Sequence, residues 1–562
     1  MSKKWEKRTA DETIVEHLQE VLQIDKIFCE LLAQRGISTF EEAKRFFRPA
    51  VEHMHDPFLM KDMDKAVTRL RHAIDNNEKI LLYGDYDVDG TTSVAMMYSF
   101  LKNHHSNLQY YIPDRYNEGY GVSYEGIEFA KNEEITLIIA MDCGIKAIDK
   151  VAKANEYGID FIICDHHLPA SELPKAIAVL DPKRSDCNYP YKELSGCGVA
   201  FKLVQGYVQE MGLEQAELNP LLDLVAVSIA CDIVPMTGEN RVLAHFGLKV
   251  LNRKPRVGLR SLIHVLGKEY PFSISDIVFG IGPSINAAGR LSDAKLAVQL
   301  LLATEKRVAV QLALELKNKN DKRREIEQGI SEEAKYQFTM QPNWENQKSI
   351  VVFHKDWHKG VVGIVAARMS EYFQKPSIVL TAANDKIVGS ARTVANFDVH
   401  EAILNCEKHL VNFGGHRHAA GLTLTAETLE QFRIDFEKTV SETITEKDLT
   451  PIQYIDAEIE FNRITNKFQR ILKQFAPFGP RNRRPVFATY GVKDTGQSKV
   501  LKKTHLRFSV QQEDRKHDGI GFGMGYLGEA IKGQPFDICY VLDENTWRGK
   551  RRLQLRMKDV KV

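Results

Sequence analysis

Four segments of this sequence crowd carboxylates and imidazoles where apolar runs stop. LLYGDYDVDGTTSVA (81–95) carries Asp85, Asp87 and Asp89 directly after its apolar start. ITLIIAMD ends in Asp142, IDFIICDHH in Asp165, His166 and His167, and LLDLVAVSIACD in Asp232. Carboxylates held this close repel one another, and bound cations are the natural compensation. One acidic strand end is ordinarily a cap or a turn, but several converging in one sheet form a candidate site. Oxygen and imidazole ligands without thiolates favour Mn2+ or Mg2+ over structural zinc, and the imidazole favours manganese. A bridging carboxylate, for which Asp142 is the candidate, holds two ions about 3.5–4 Å apart; such a pair activates water and stabilises in-line displacement at phosphorus. The chemistry expected is therefore phosphodiester cleavage. DYDVDG is not an EF-hand loop, because a strand precedes it and no glutamate stands at the twelfth loop position.

These residues need elements that bring them together. From about 66 to 235, strand-like and helix-like runs alternate, which indicates a doubly wound parallel sheet. Its strands are continuously apolar, as a sheet covered on both faces requires. Sites in such sheets form outside the carboxyl ends of the strands, where the acidic residues fall. From Ser292 to about Phe338 runs one long helical pattern containing the charged KNKNDKRREIEQ, read as a solvated helix connecting two lobes. A second, smaller α/β unit follows: SIVVFH, KGVVGIVAARMSEYF, PSIVLTA, KIVGSAR and DVHEAILNC. TEKDLTP (445–451) reads as a linker, and the short alternating runs after it suggest a small β-barrel. The expected division is a helical segment over 1–50, a catalytic domain over 51–291, a connecting helix over 292–347, a second domain over 348–446 and a barrel over 447–562.

Composition sets limits on the class. At 562 residues the chain exceeds one core, so three or four domains are expected. With 43% hydrophobic and 27% charged residues it reads as soluble and globular. No stretch reaches the ~20 continuous apolar residues of a membrane helix, and MSKKWEKRTADETIVEHL lacks the apolar core of a secretory signal, so a cytoplasmic location is expected. Eight cysteines without a CxxC pair argue against a zinc ribbon or a thioredoxin-type site. The net charge of +1 hides an asymmetry: +10 over 451–562 against −9 for the rest. A basic tail on an acidic body suggests a polyanionic partner.

GDYDVDG, MDCG, CDHH and ACDIVP, in that order, resemble the successive motifs of the DHH phosphoesterase superfamily, whose namesake triplet would be Asp165-His166-His167. GGHRHAAG (414–421) resembles the glycine-rich motif of the DHH-associated second domain. The resemblance spans roughly residues 50–562 and lies nearest the bacterial single-strand-specific exonucleases of that superfamily. It implies a DHH-type doubly wound sheet, a long connecting helix, a smaller α/β DHH-associated domain and a C-terminal OB-like barrel. It also implies two divalent ions held by Asp87, Asp89, Asp142, His166 and Asp232, with Asp85 a ligand or a ligand-orienting group. His167 would stand near the scissile phosphate with Asp165 beside it. Asn286 and Arg290 of GIGPSINAAGR would face the active site, and Ser390 and Arg392 of SAR would hold a 5′-terminal phosphate.

Residue chemistry adds detail. Arg290 and Arg392 can grip phosphate in a fork. GGHRHAAG places Gly414 and Gly415 between likely strands, where the backbone can approach a ligand closely, and His416 can bond a phosphate or leaving group. In PDRYNEGYGVS (113–123), Tyr116 or Tyr120 can stack on a base and Arg115 can meet phosphate. PFGPRNRRPVF and SKVLKKTHLRF interleave basic and aromatic residues, as single-strand-binding barrels do. The expectation is a monomeric, metal-dependent exonuclease that threads single-stranded DNA between two lobes and releases 5′-mononucleotides. The 5′-to-3′ polarity, a role in DNA repair and recombination, and a helicase and a single-strand-binding protein as partners follow from the resemblance alone. The alternatives are a phosphodiesterase for very short RNA or cyclic dinucleotides, and a non-enzymatic binding protein.

Overall fold

A computed structural model describes residues 3–291, 293–383, 385–394, 397–547 and 550–562. The chain forms two compact units. One comprises Glu41–Lys322 and Gln474–Arg483, and the other Met1–Phe40, Arg323–Lys473 and Arg484–Val562.

The N-terminal segment departs from the all-helical expectation. Helices Glu12–Leu22, Lys26–Ala33 and Phe40–Phe47 are present, but a strand, β1 (Lys4–Lys7), precedes them and pairs in parallel with Ile452–Ile455. Four residues, KWEK, are too short to show a period, and the strand exists because a distant segment offers it a ladder. Trp5 fixes it further by donating Nε1–H to Asp559 at 2.7 Å.

The first unit is built on β2 (Ile80–Gly84), β3 (Leu108–Tyr111), β4 (Leu137–Met141), β5 (Asp160–Cys164) and β6 (Ala178–Leu180). They are all parallel, in the order β3-β2-β4-β5-β6. Alternate residues enter different cores. Leu82, Ile139 and Ile162 join one apolar cluster, while Leu81, Ile138 and Ile163 join another. Both faces are therefore covered, which explains why the strands read as unbroken apolar runs. The strand order reverses between β2 and β4, and this switch point is where doubly wound sheets open a crevice. The register pairs Gly84 with Met141, Met141 with Cys164, and Cys164 with Leu180. Asp85, Asp142, Asp165 and Asp181, each the next residue along, thus leave the sheet in one row.

The single long helix expected from Ser292 is two helices. Ser292 itself lies outside the described residues. Lys295–Leu302 ends where Ala303 turns extended (φ −63°, ψ 128°), and Lys306–Thr339 begins three residues later. The apolar pattern runs on across the break (Leu302, Val308, Ala309, Leu312), so no composition change marked it.

In the second unit β7 (Ile350–Phe353), β8 (Ser377–Ala383), β9 (Lys386–Arg392), β10 (Leu410–His416) and β11 (Ala419–Leu424) form a sheet in the order β10-β11-β9-β8-β7. Only β7 and β8 run parallel, joined through the Val362–Phe373 helix. The segment expected to be a loop between strands is mostly strand: Gly414, Gly415 and His416 lie in β10, and the turn falls at Arg417-His418. After β12 (Ile452–Ile455) and β13 (Ala457–Glu458) come β14 (Phe487–Asp494), β15 (Lys499–Leu501), β16 (His505–Gln512), β17 (Arg515–Gly521), β18 (Phe536–Trp547) and β19 (Lys550–Lys561). β14, β18, β19, β17 and β16 close on one another through the β14–β16 pairing, giving a five-stranded barrel. Its interior holds Phe487, Phe508, Tyr540 and Leu555, all buried. β17, RKHDGIG, has no apolar alternation, and its strand identity comes from its neighbours β16 and β19.

Candidate metal centre

The acidic row becomes a cluster because helices lock onto it. Asp87 caps the Val88–Leu101 helix, its Oδ1 accepting from the Asp89 and Gly90 amides at 2.8 and 3.2 Å. That cap turns Asp89 inward. Asp89 then accepts from the Gly196 and Cys197 amides (2.7 and 2.9 Å), at the start of the Gly196–Glu210 helix, and from Ser228 Oγ at 2.6 Å. The Leu222–Cys231 helix delivers Asp232 as its C-terminal cap residue. Asp142 has a left-handed backbone (φ 60°), and Gly196 packs so closely on it that a Cβ there would lie 2.6 Å from the Asp142 Cβ.

His166 sits at the focus. Its Nε2 lies 3.2 Å from Asp142 Oδ1, 3.6 Å from Asp232 Oδ2 and 3.8 Å from Asp89 Oδ2. Two groups of atoms are arranged to hold an ion: Asp89, His166 and Asp232, and Asp142, His166 and His167. His166 is their common member, whereas Asp142 was the bridge expected from sequence. Asp87 stands in neither group, its Oδ1 being used for capping. Both ring nitrogens of His166 and one oxygen each of Asp232 and Asp85 are buried without a hydrogen-bond partner.

Electrostatics points the same way. Burial, then the charges of Asp89, Asp87, Asp232 and Asp85, push the Asp142 carboxyl well above its usual range. Burial and the charges of Asp89 and Asp87 push Asp232 up to about 9, and burial with Asp87 pushes Asp85 up to about 8. Burial also lowers the His166 imidazole. Divalent cations fit this set. Their oxygen and imidazole ligands are present, the orphaned His166 Nε2 and Asp232 Oδ2 stand 3.6 Å apart, and ligands at about 2.1 Å from an octahedral ion stand roughly 3 Å apart.

The neighbours of the cluster are mostly occupied with positioning. Asp165 Oδ1 accepts from the His166 amide (2.7 Å) and pairs with His167 Nδ1 (2.8 Å), while Oδ2 accepts from the Ile145 amide (2.9 Å). Both oxygens are spent, so the aspartate expected among the catalytic residues shapes the loop that presents both histidines. Burial lowers the His167 imidazole, but the Asp165 bond and charge outweigh it and leave it above its ordinary value. Tyr120 was a stacking candidate; its hydroxyl donates to the Asp142 carbonyl at 3.0 Å and lies 3.1 Å from His167 Nε2, while its ring stays exposed. Tyr116 donates to the Arg290 carbonyl, and Arg115 lies over the Tyr86 ring at 4.8 Å. Asn286 and Arg290 lie one turn apart on the Gly282–Leu291 helix, whose Gly289 packs against the Tyr86 carbonyl. The helix end thus reaches the Asp85–Asp87 loop. Sequence reasoning missed Ser228 and Gly196, which leave no local pattern. It also missed Asp181, although AVLDP ends in a carboxylate just as the other strands do.

The remaining candidates gather in the second unit. Across the antiparallel sheet Gly414 pairs with Gly421 and Gly421 with Ser390; His416 pairs with Ala419 and Ala419 with Arg392. Gly363, at the start of the Val362–Phe373 helix, comes so near that a Cβ would sit 3.1 Å from Ser390 Oγ and 3.2 Å from Arg392 Nη2. Ser390, Arg392 and a helix N-terminus therefore meet, with glycines alongside, an arrangement suited to an anion. Gly415 (φ 146°) is required by its approach to the Ala419 carbonyl, whereas a Cβ on Gly414 would meet nothing within 4 Å. His416 is exposed.

Residues 79–229 match the family described as "DHH family, N-terminal domain", so the parallel sheet and its cluster are those of a DHH protein. Residues 346–442 match the DHHA1 domain and residues 455–559 the RecJ OB domain. The single-stranded-DNA-specific exonuclease RecJ of Bacillus subtilis (strain 168) is 36% identical, with 100% of this chain and 71% of that one covered. That of Dickeya dadantii (strain 3937) is 34% identical, with 93% and 94% covered. The chain belongs to the RecJ family. Among solved structures, RecJ from Thermus thermophilus in complex with Mn2+ has the same fold (TM-score 0.85, 24% identity, 100% of this chain and 79% of that one). An exonuclease RecJ bound to manganese is 31% identical, with TM-score 0.60 over 69% of this chain and 96% of that one.

Proposed function

We propose that this chain is a metal-dependent exonuclease of single-stranded DNA that hydrolyses from the 5′ end, releases 5′-mononucleotides and serves DNA repair and recombination. The observation that carries the reading is the pair of ion-holding groups sharing His166 at the switch point, with buried donor atoms left unsatisfied. Two Mn2+ or Mg2+ ions bound there would supply charge neutralisation and water activation for in-line attack at phosphorus.

The chain's own residues do the rest. Asp89, Asp142, His166 and Asp232 would hold the ions, and Asp87 and Asp85 would fix the loop beneath them. Asp165 and Tyr120 orient His167, whose Nε2 would exchange the Tyr120 hydroxyl for a phosphate oxygen or the leaving oxygen. Asn286 and Arg290 face the scissile phosphate, and Arg115 and the Tyr120 ring lie along the strand. Ser390 and Arg392 take the terminal phosphate, with Gly414, Gly415 and His416 beside them. Polarity rests on the family resemblance, from which that assignment also comes. The accompanying domain division is a catalytic domain over 51–291, a connecting helical region over 292–347, a DHH-associated domain over 348–446 and an OB-like strand-binding domain over 447–562. We place the protein in the cytoplasm as a monomer working beside a helicase and a single-strand-binding protein. No helix among the described residues is long and apolar enough to cross a membrane.

The test is digestion of 5′- and 3′-labelled DNA and RNA strands with Mn2+. Mononucleotides released from the 5′ end of long DNA support the reading, and cleavage restricted to dinucleotides overturns it.

A further inference from the structure

Beside the cluster stands a cation that none of the assignments above uses. The Leu180–Cys164 pairing and the bond from the Asp165 amide to the Leu180 carbonyl (3.0 Å) bring the chain after β6 alongside Asp165-His166-His167. The chain there is held on both sides of residue 183. Asp181, wholly buried, accepts the Lys183 amide on Oδ1 at 2.7 Å. Arg184 is tied to the Val179 carbonyl (2.5 Å), to Asp62 (2.6 Å) and to both oxygens of Asp186 (2.9 and 2.8 Å). Between these anchors Lys183 is only half-buried, and its ammonium has no hydrogen bond or ion pair among the described residues. It stands two residues beyond Asp181, on the chain that runs alongside Asp165-His166-His167, and its charge acts on Asp232, Asp181, His166 and His167.

The surroundings of this lysine give it a task. Asp85, Asp87, Asp89, Asp142 and Asp232 bring five negative charges, of which two divalent ions would cancel four. Lys183, on a fixed backbone at the rim and without a partner of its own among the described residues, is placed to pair with an anionic phosphate that the ions would draw in. We propose that Lys183 contacts a non-bridging oxygen of the phosphate being cleaved and steadies the charge that builds there. A lysine that merely balanced the empty cluster would instead act through metal affinity. The assignment rests on the exonuclease reading above and adds a catalytic residue to it.

The experiment compares wild type, Lys183→Met and Lys183→Arg on a long 5′-phosphorylated DNA strand, with Mn2+ affinity measured by calorimetry on the same proteins. Loss of one charge-assisted contact is expected to cut kcat/KM about 10- to 100-fold in Lys183→Met. Arginine should restore most of it, and Mn2+ affinity should fall in neither variant. Activity of Lys183→Met within about twofold of an active wild type overturns the lysine's role alone. So does a loss of activity that tracks a matching loss of Mn2+ affinity. Wild-type digestion of the strand is the separate control on the exonuclease reading.

Discussion

The two α/β sheets carry their candidate chemistry with opposite sign and opposite exposure. β2, β4 and β5 deliver carboxylates to an edge that helices close over, leaving Asp89 and Asp142 almost without solvent contact. β9, β10 and β11 deliver Ser390, Arg392 and a run of glycines to the face and edge of a mixed sheet, where β10 is largely exposed. The first arrangement stores repulsion that cations relieve, and its glycines make contact. The second carries no such crowding of like charges, and Gly414 and Gly421 leave room. A site for metal must be built tightly because ligand distances are fixed, whereas a site for a strand end needs mainly space and one well-placed fork.

Breaking the first sheet should cost the most. Asp142→Ala is expected to lower Mn2+-dependent release of nucleotides by roughly 10³-fold or more, while the metal-free variant melts no lower than metal-free wild type because a repelling carboxylate is gone. End-labelled digestion and a thermal melt check both. Arg392→Ala is expected to lower kcat/KM about 10- to 100-fold on 5′-phosphorylated strands and only a few-fold on 5′-hydroxyl strands. Mn2+ affinity should be unchanged; equal losses on both strands would remove the phosphate from the second sheet.

A matched pair of glycines sharpens the contrast. Gly196→Ala must displace Asp142 and should cost about tenfold or more in activity and in Mn2+ affinity. Gly421→Ala would meet only the Gly389 carbonyl at 3.9 Å, so its melting temperature should match wild type and only KM should rise, by a few-fold. The smallest effect belongs to the fourth strand-end aspartate. Burial, then the charge of Asp165, raises Asp181 to about 7 from an ordinary 3.8, so the folded state favours the protonated form. Its contribution is present at low pH and is lost as pH rises through about 7. Asp181→Asn should therefore melt progressively higher than wild type between pH 5 and pH 8, by about 2–4 °C per kcal/mol.

The first sheet was largely legible because its strands are short apolar runs that stop at acidic residues. The cluster was legible for the same reason: Asp85, Asp142 and Asp165 follow paired strand ends directly. Asp165's part in bonding amides was not, since a spent carboxylate and a free one look alike in sequence. Nor was the shared position of His166, which depends on how two helices dock. The break at Ala303 and the strand RKHDGIG left no periodic trace, because tertiary pairing and packing decided both.

The β1–β12 ladder has a consequence for the timing of synthesis. Lys4 and its partner Ile452 are about 450 residues apart, so β1 waits for a strand made long after it. At 5–20 residues per second that wait is roughly half a minute to a minute and a half. During it KWEK and Trp5 have no native edge to join, and Asp559, Trp5's acceptor, arrives later still. The second unit thus completes its β1–β12 ladder only after both of these distant segments exist.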